Sequence, residues 1–70
     1  MWKDGTENGY YWQIKVFEKG SEFGIDGDKI SKLFIRDSDR NVLANYDRGW
    51  DIEPSEEIAP LIDYLMMIYN

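Results

Sequence analysis

Hydrophobic and polar positions alternate through Tyr10-Tyr11-Trp12-Gln13-Ile14-Lys15-Val16-Phe17. An extended chain then carries Trp12, Ile14 and Val16 on one side, and Tyr11, Gln13, Lys15 and Phe17 on the other. This period of two predicts a strand over 10–17. Phe23-Gly24-Ile25 reads as a second, short strand, weakened by its glycine. Asp26-Gly27 is a strong hairpin dipeptide, because both positions tolerate positive φ. It leads into a third strand over Ile30–Arg36, with Leu33 and Ile35 on one side and Ile30, Lys32, Phe34 and Arg36 on the other. Asp37–Asn41 is a polar turn in which Asn41 suits the left-handed region. Val42–Tyr46 follows as a fourth strand, and the sheet ends by Gly49 and Asp51–Pro54.

Beyond Pro54 the period changes. Ile58, Leu61, Ile62, Leu65 and Ile68 recur at spacings of three and four, the signature of one apolar helix face. Ser55 is an N-cap candidate, and Glu56 and Glu57 suit the positive end of a helix dipole. Pro60 is tolerated only in a first turn, so the regular helix is expected to start a few residues after Ser55. The polar stretch Lys3–Gly9, with two glycines, reads as a flexible lead-in. The predicted class is α+β: a lead-in at 1–9, then one β-β-β-β-α domain at 10–70. Its sheet is a small antiparallel meander of three to four strands, with one C-terminal helix packed on one face.

A helix of about 14 residues spans roughly 20 Å, enough to cover a single face. The opposite face is left with Tyr11, Phe17, Ile30 and Phe34, an apolar patch of a kind that soluble monomers rarely expose. Self-association into a dimer or higher homo-oligomer through these four residues is the expectation. Folding of Trp2 and the N-terminal segment over the patch is the alternative.

Composition narrows the chemistry. The 70 residues include 3 Trp, 5 Tyr and 3 Phe but no His and no Cys. So rich an aromatic content argues against disorder. Disulfides are excluded, a structural zinc lacks its usual ligands, and no Ser-His or Cys-His pair exists. No metal, cofactor or enzymatic activity is expected. A net charge of -6 argues against direct nucleic-acid binding. The longest apolar run, Leu65–Tyr69, is far short of the roughly 20 residues of a membrane span. The N-terminus has no apolar signal segment, so a cytoplasmic location is expected.

Two motifs dissolve on inspection. Asp37-x-Asp39-x-Asn41 opens like a calcium loop, but Val42 and Arg48 stand where that loop needs glycine and glutamate. Gly24-x-Asp26-Gly27 lacks the strand-to-helix context and Lys-Ser/Thr of a phosphate loop. The densest chemistry is Tyr46-Asp47-Arg48-Gly49-Trp50-Asp51. Arg48 offers a planar fork for phosphate, Tyr46 and Trp50 offer stacking faces, and Asp47 can accept from a hydroxyl. The structural alternative pairs Arg48 with Asp47, Asp51 or Glu53, and sets Trp50 under the helix. Lys32 and Arg36, on one side of the third strand, are further anion ligands in this reading. Charge is also unevenly spread: the stretch 47–70 holds six carboxylates against Arg48 alone.

Phe23-Gly-Ile-Asp-Gly-Asp-Lys-Ile-Ser-Lys-Leu-Phe-Ile-Arg-Asp37 and Asn45-Tyr-Asp-Arg-Gly-Trp-Asp-Ile-Glu-Pro54 resemble a small uncharacterised family of Firmicutes bacteria and their phages. The resemblance spans roughly residues 10–60, with Tyr-Asp-Arg-Gly-Trp-Asp its most specific block. It implies a bacterial or phage origin and carries no known activity.

Two functional expectations follow. The first is a non-enzymatic binding protein that sequesters a nucleotide-like immune signal for a phage or mobile element, with Tyr46, Asp47, Arg48, Trp50, Lys32 and Arg36 on the ligand. The second is an acidic inhibitor or adaptor that blocks a basic, nucleic-acid-binding surface of a partner protein.

Overall fold

Five consecutive strands form one antiparallel meander in the computed structural model, which describes residues 1–70. They are β1 (Trp2–Glu7), β2 (Tyr10–Val16), β3 (Ile30–Arg36), β4 (Val42–Asp47) and β5 (Trp50–Ile52), followed by helix α1 (Ala59–Tyr69). The α+β meander with a C-terminal helix is the architecture that the alternation predicted, with five strands in place of three to four.

The register explains the core. Trp12 pairs with Ile35 and Ile14 with Leu33, while Ile35 also faces Ala44 and Leu33 faces Tyr46. These six side chains project from one face and are buried together with Ile58, Leu61, Ile62 and Leu65 of the helical segment. The N–H groups of Ile58 and Ala59 donate to the Ser55 carbonyl at 3.2 and 3.1 Å, a helical turn that runs into α1. Regular helix begins at Ala59 with Pro60 in its first turn, where a missing N–H does no harm. At the far end Tyr69 tilts onto Trp12 with ring centroids 5.9 Å apart. Asn70 then accepts from the Ile30 N–H at 2.8 Å, tying the helix end to the start of β3.

Several expectations are corrected. The segment 1–9 is no flexible lead-in: residues 2–7 form β1, in register with β2 from Trp2–Lys15 to Glu7–Tyr10. Asn8 and Gly9 adopt φ of 52° and 86°, the pair of positive values that a tight two-residue hairpin requires. Edge position explains why no apolar alternation marks this strand, since its side chains are largely exposed. Phe23–Ile25 is not a strand. The Gly24 N–H donates to Ser21, Gly27 to Gly24 and Asp28 to Ile25, so the chain coils through turns here. Asp26 and Gly27 do take positive φ, but inside this longer loop.

Ile30 is also displaced from its expected face. Val16 pairs with Ile30 but Lys15 pairs with Lys32, so Ser31 is an extra residue on β3. The bulge turns Ile30 to the helix side, where it is fully buried. It belongs to the core, not to an exposed interface. Arg40, at φ 67°, takes the left-handed position expected of Asn41. Asn41 is committed instead to Asp37, giving its N–H to one carboxylate oxygen and its amide to the other. Finally, the sheet does not stop at β4, because Trp50–Ile52 adds β5.

Candidate functional site

The face of the sheet away from α1 has no covering element. Alternation along β2, β3 and β4 places Tyr11, Gln13, Lys15, Lys32, Phe34, Arg36, Asn45 and Asp47 there, and none of them is buried apart from solvent. Trp2, opposite Lys15 on β1, joins them. Phe17, just past the end of β2, and Phe23, in the coiled loop, are also exposed.

Cations and ring faces are interleaved on this side. The Lys15 ammonium lies 5.8 Å from the Trp2 ring centroid and 5.3 Å from that of Phe17. The Arg36 guanidinium stands 4.6 Å over Tyr11, and that of Arg48 lies 5.4 Å over Phe23. Lys32 reaches Asp47 at 3.9 Å, both side chains being nearly half exposed. So open an ion pair contributes only about 0–1 kcal/mol, which leaves Lys32 able to exchange its partner for a ligand.

Two clefts meet at this pair. One, of about 180 Å³, is bounded by Trp2, Gln13, Phe34 and Asn45. The other, of about 300 Å³, is bounded by Lys15, Phe17, Phe23 and Arg48. Lys32 and Asp47 line both. The site thus offers ammonium and guanidinium donors, two carboxylate acceptors (Asp47 and Asp51) and amide groups among flat apolar rings.

The residues singled out in the sequence divide across the sheet. Lys32, Asp47 and Arg48 come together at the clefts. Arg36 shares their face but lies further along β3, its Nη1 donating to the Asp37 carbonyl at 3.2 Å. Tyr46 and Trp50 sit on the helix side. Tyr46 is 8% exposed, and its hydroxyl donates to the Phe23 carbonyl at 3.0 Å. Trp50 meets it edge-on, with centroids 5.1 Å apart. These two rings hold the loop and β5 to the core, and the stacking faces open to solvent are Trp2, Phe17 and Phe23, with Phe34 half-buried on the same side. Of these, Phe34 and Phe17 were visible in the alternation. Phe23 had no signal, because only the loop's coil brings it to Arg48.

Arg48 itself forms the β4–β5 turn at φ 63°, an uncommon value for a residue with a side chain. Its backbone aims the guanidinium across the loop at Phe23. At the opposite end of β4, the β3–β4 turn is organised by Asp37, whose carboxylate accepts from the Asp39 and Asn41 N–H groups, both at 2.9 Å. The hydrogen bonds from Asn41 above all, with those from Asp39 and the charge of Arg36, hold the Asp37 carboxyl below its ordinary value. Both oxygens serve the turn, which accounts for the calcium-like spacing without a calcium ion. No group of three or more carboxylates gathers into a metal site.

The chain matches one family from end to end, residues 1–70. It belongs to the DUF7678 family, a domain of unknown function. The match takes in β1, so the N-terminal hairpin is part of the DUF7678 domain. No curated protein and no solved structure matches the chain. No helix of the domain is long and apolar enough to cross a membrane.

Proposed function

We propose that this DUF7678 domain is a non-enzymatic binding module that holds a small anionic ligand with a flat ring, nucleotide-like in chemistry, on its open sheet face. The supporting observation is the junction of the two clefts at Lys32 and Asp47, where Lys15 and Arg48 stand beside Phe17 and Phe23. In a chain of net charge -6, four cations interleaved with rings on one side are a local exception to the overall charge. In this reading Lys32, Lys15 and Arg48 meet the phosphate, Phe34 or Phe23 stacks on the base, and Asp47 accepts from a sugar hydroxyl. Sequestration of an immune nucleotide in a bacterial cytoplasm is the biological role in this reading.

Calorimetric titration with adenosine monophosphate, adenosine and inorganic phosphate tests this. The nucleotide should bind at least about tenfold more tightly than either fragment, a difference of about 1.4 kcal/mol. Lys32→Ala and Arg48→Gly should each weaken it while leaving the fold intact, since glycine accepts the positive φ at 48 without strain. Equal, weak binding of all three compounds, or full binding by both variants, would sink the proposal.

A second reading rests on the charge of the chain's last third. Glu53 and Glu56 are exposed and Glu57 is engaged with Tyr10 at 2.9 Å, so an acidic surface adjoins the helix start. Such a surface suits docking to a basic patch on a partner protein. Charge reversal at Glu53 and Glu56 should abolish that association and leave nucleotide binding unchanged.

A further inference from the structure

The two edges of the sheet are unlike. β5 has three residues and runs into Glu53-Pro54, a short edge closed by a residue that cannot donate to a new ladder. β1 has six residues, no proline and exposed side chains at five positions. Met1 and Val16 exchange both backbone hydrogen bonds, each at 2.8 Å. Such pairs alternate along an antiparallel ladder, so Lys3, Gly5 and Glu7 turn their backbone groups to β2. The N–H and C=O groups of Trp2, Asp4 and Thr6 therefore face outward, a free row for a further strand.

Self-pairing of this edge is restricted by the same alternation. Two antiparallel registers overlap most of the strand. A two-fold axis at Asp4 sets Asp4 against its own copy and Lys3 against Gly5, which opposes like charges. An axis at Gly5 sets Asp4 against Thr6 in hydrogen-bonded pairs, carboxylate facing hydroxyl. It also sets Lys3 against Glu7 on both sides of the axis, in non-hydrogen-bonded pairs whose side chains approach most closely. Neither Lys3 nor Glu7 has an ion-pair partner within the chain. At the axis itself stands a residue without a side chain. The indole of Trp12 lies over it so closely that a Cβ there would sit 2.8 Å from Cζ2.

We infer that a second copy of this chain pairs antiparallel along β1, centred on Gly5, with Lys3 and Glu7 forming reciprocal ion pairs. Two five-stranded sheets then become one continuous sheet. Lys3 and Glu7 lie on the helix side of β1, so the open faces of the two copies remain uncovered and side by side. This dimer is independent of ligand binding and replaces the open face as the site of self-association.

Sedimentation equilibrium on wild type, Lys3→Glu, Glu7→Lys and the double variant tests the register, with circular dichroism monitoring the fold. Wild type should dimerise. Each single variant sets like charges opposite twice and should weaken the dimer about tenfold or more. The double variant should recover it. An equimolar mixture of the two single variants should form a heterodimer, because each then presents the charge that the other lacks. A misfolded variant could not be rescued by mixing, so folding defects are separated from lost pairing. A monomeric wild type at millimolar concentration overturns the inference, as do single variants that dimerise like wild type or a mixture that fails to associate.

Discussion

The two faces of the central strands are built from alternate residues of the same twenty-odd positions, yet they do opposite things. On the helix side Ile14, Leu33, Ile35 and Ala44 lose essentially all contact with water, under Ile58, Ile62 and Leu65. On the other side Lys15, Lys32, Phe34 and Arg36 remain partly exposed, and their cations lie over rings or beside a single carboxylate. One face is closed by shape, since aliphatic side chains without polar atoms can be packed densely and stay put. The other is held open by charge, since ammonium and guanidinium groups stay in water unless a partner meets them. Stability should therefore depend on one face and recognition on the other, and each can be disturbed without the other.

The largest effect is expected from Leu65→Ala. Leu65 is fully buried between helix and sheet, and its truncation should cost about 2–5 kcal/mol. A chain of 70 residues has a total stability of only about 4–10 kcal/mol, so urea unfolding should show a large loss or no folded baseline. An unchanged midpoint would mean that the helix does not close the core.

Next is Asn70→Ala, which leaves the Ile30 N–H without its acceptor beside a fully buried side chain. The expected loss is about 1–3 kcal/mol, and hydrogen exchange at the Ile30 amide should accelerate. Protection that persists would show that another group satisfies this N–H.

Lys32→Ala and Phe34→Ala act on the open face. Each should move stability by no more than about 0.5–1 kcal/mol, while weakening nucleotide retention. A large drop in thermal midpoint from either would erase the division between the faces.

The smallest effect concerns acid. The Asp37 carboxyl is held below its ordinary value of 3.8, first by the Asn41 side-chain hydrogen bond. A depressed folded value means that Asp37 stabilises the fold fully above pH 3.8 and loses this contribution as pH falls through the lower folded value. Asp37→Ala should flatten the acid limb of the stability profile and leave its neutral-pH shape unchanged. An acid limb of equal slope in the variant assigns it to other carboxylates.

Much of the covered face was legible because burial leaves a period. Trp12, Ile14, Leu33 and Ile35 alternate, and Ile58, Leu61, Ile62 and Leu65 recur at helical spacing, so the packing partners follow from geometry alone. The helix's late start followed from Pro60 by the same local logic. β1 left no such period, being an exposed edge held mainly by backbone bonds. Its one local sign was Asn8-Gly9, embedded in a polar run that also suits a loop. On the open side, Asp47 and Arg48 were found because charged and planar groups stood close in sequence, and Lys32 because alternation set it on one side of its strand. Tyr46 and Trp50 were assigned the ligand's stacking role on that same proximity, and the sheet set them on the other face.

The sequence by itself determined the class of fold, most of the core's aliphatic members and the absence of histidine and cysteine chemistry. Those properties are local, or periodic over a few residues, and steric rules act at that range. Tertiary structure alone decided which face Ile30 joined, because the Ser31 bulge is a matter of register between two strands. It also decided that Phe23 meets Arg48 and that Lys32 meets Asp47. Such contacts join residues distant along the chain, and they are settled only when every backbone group of the ladder has found its partner.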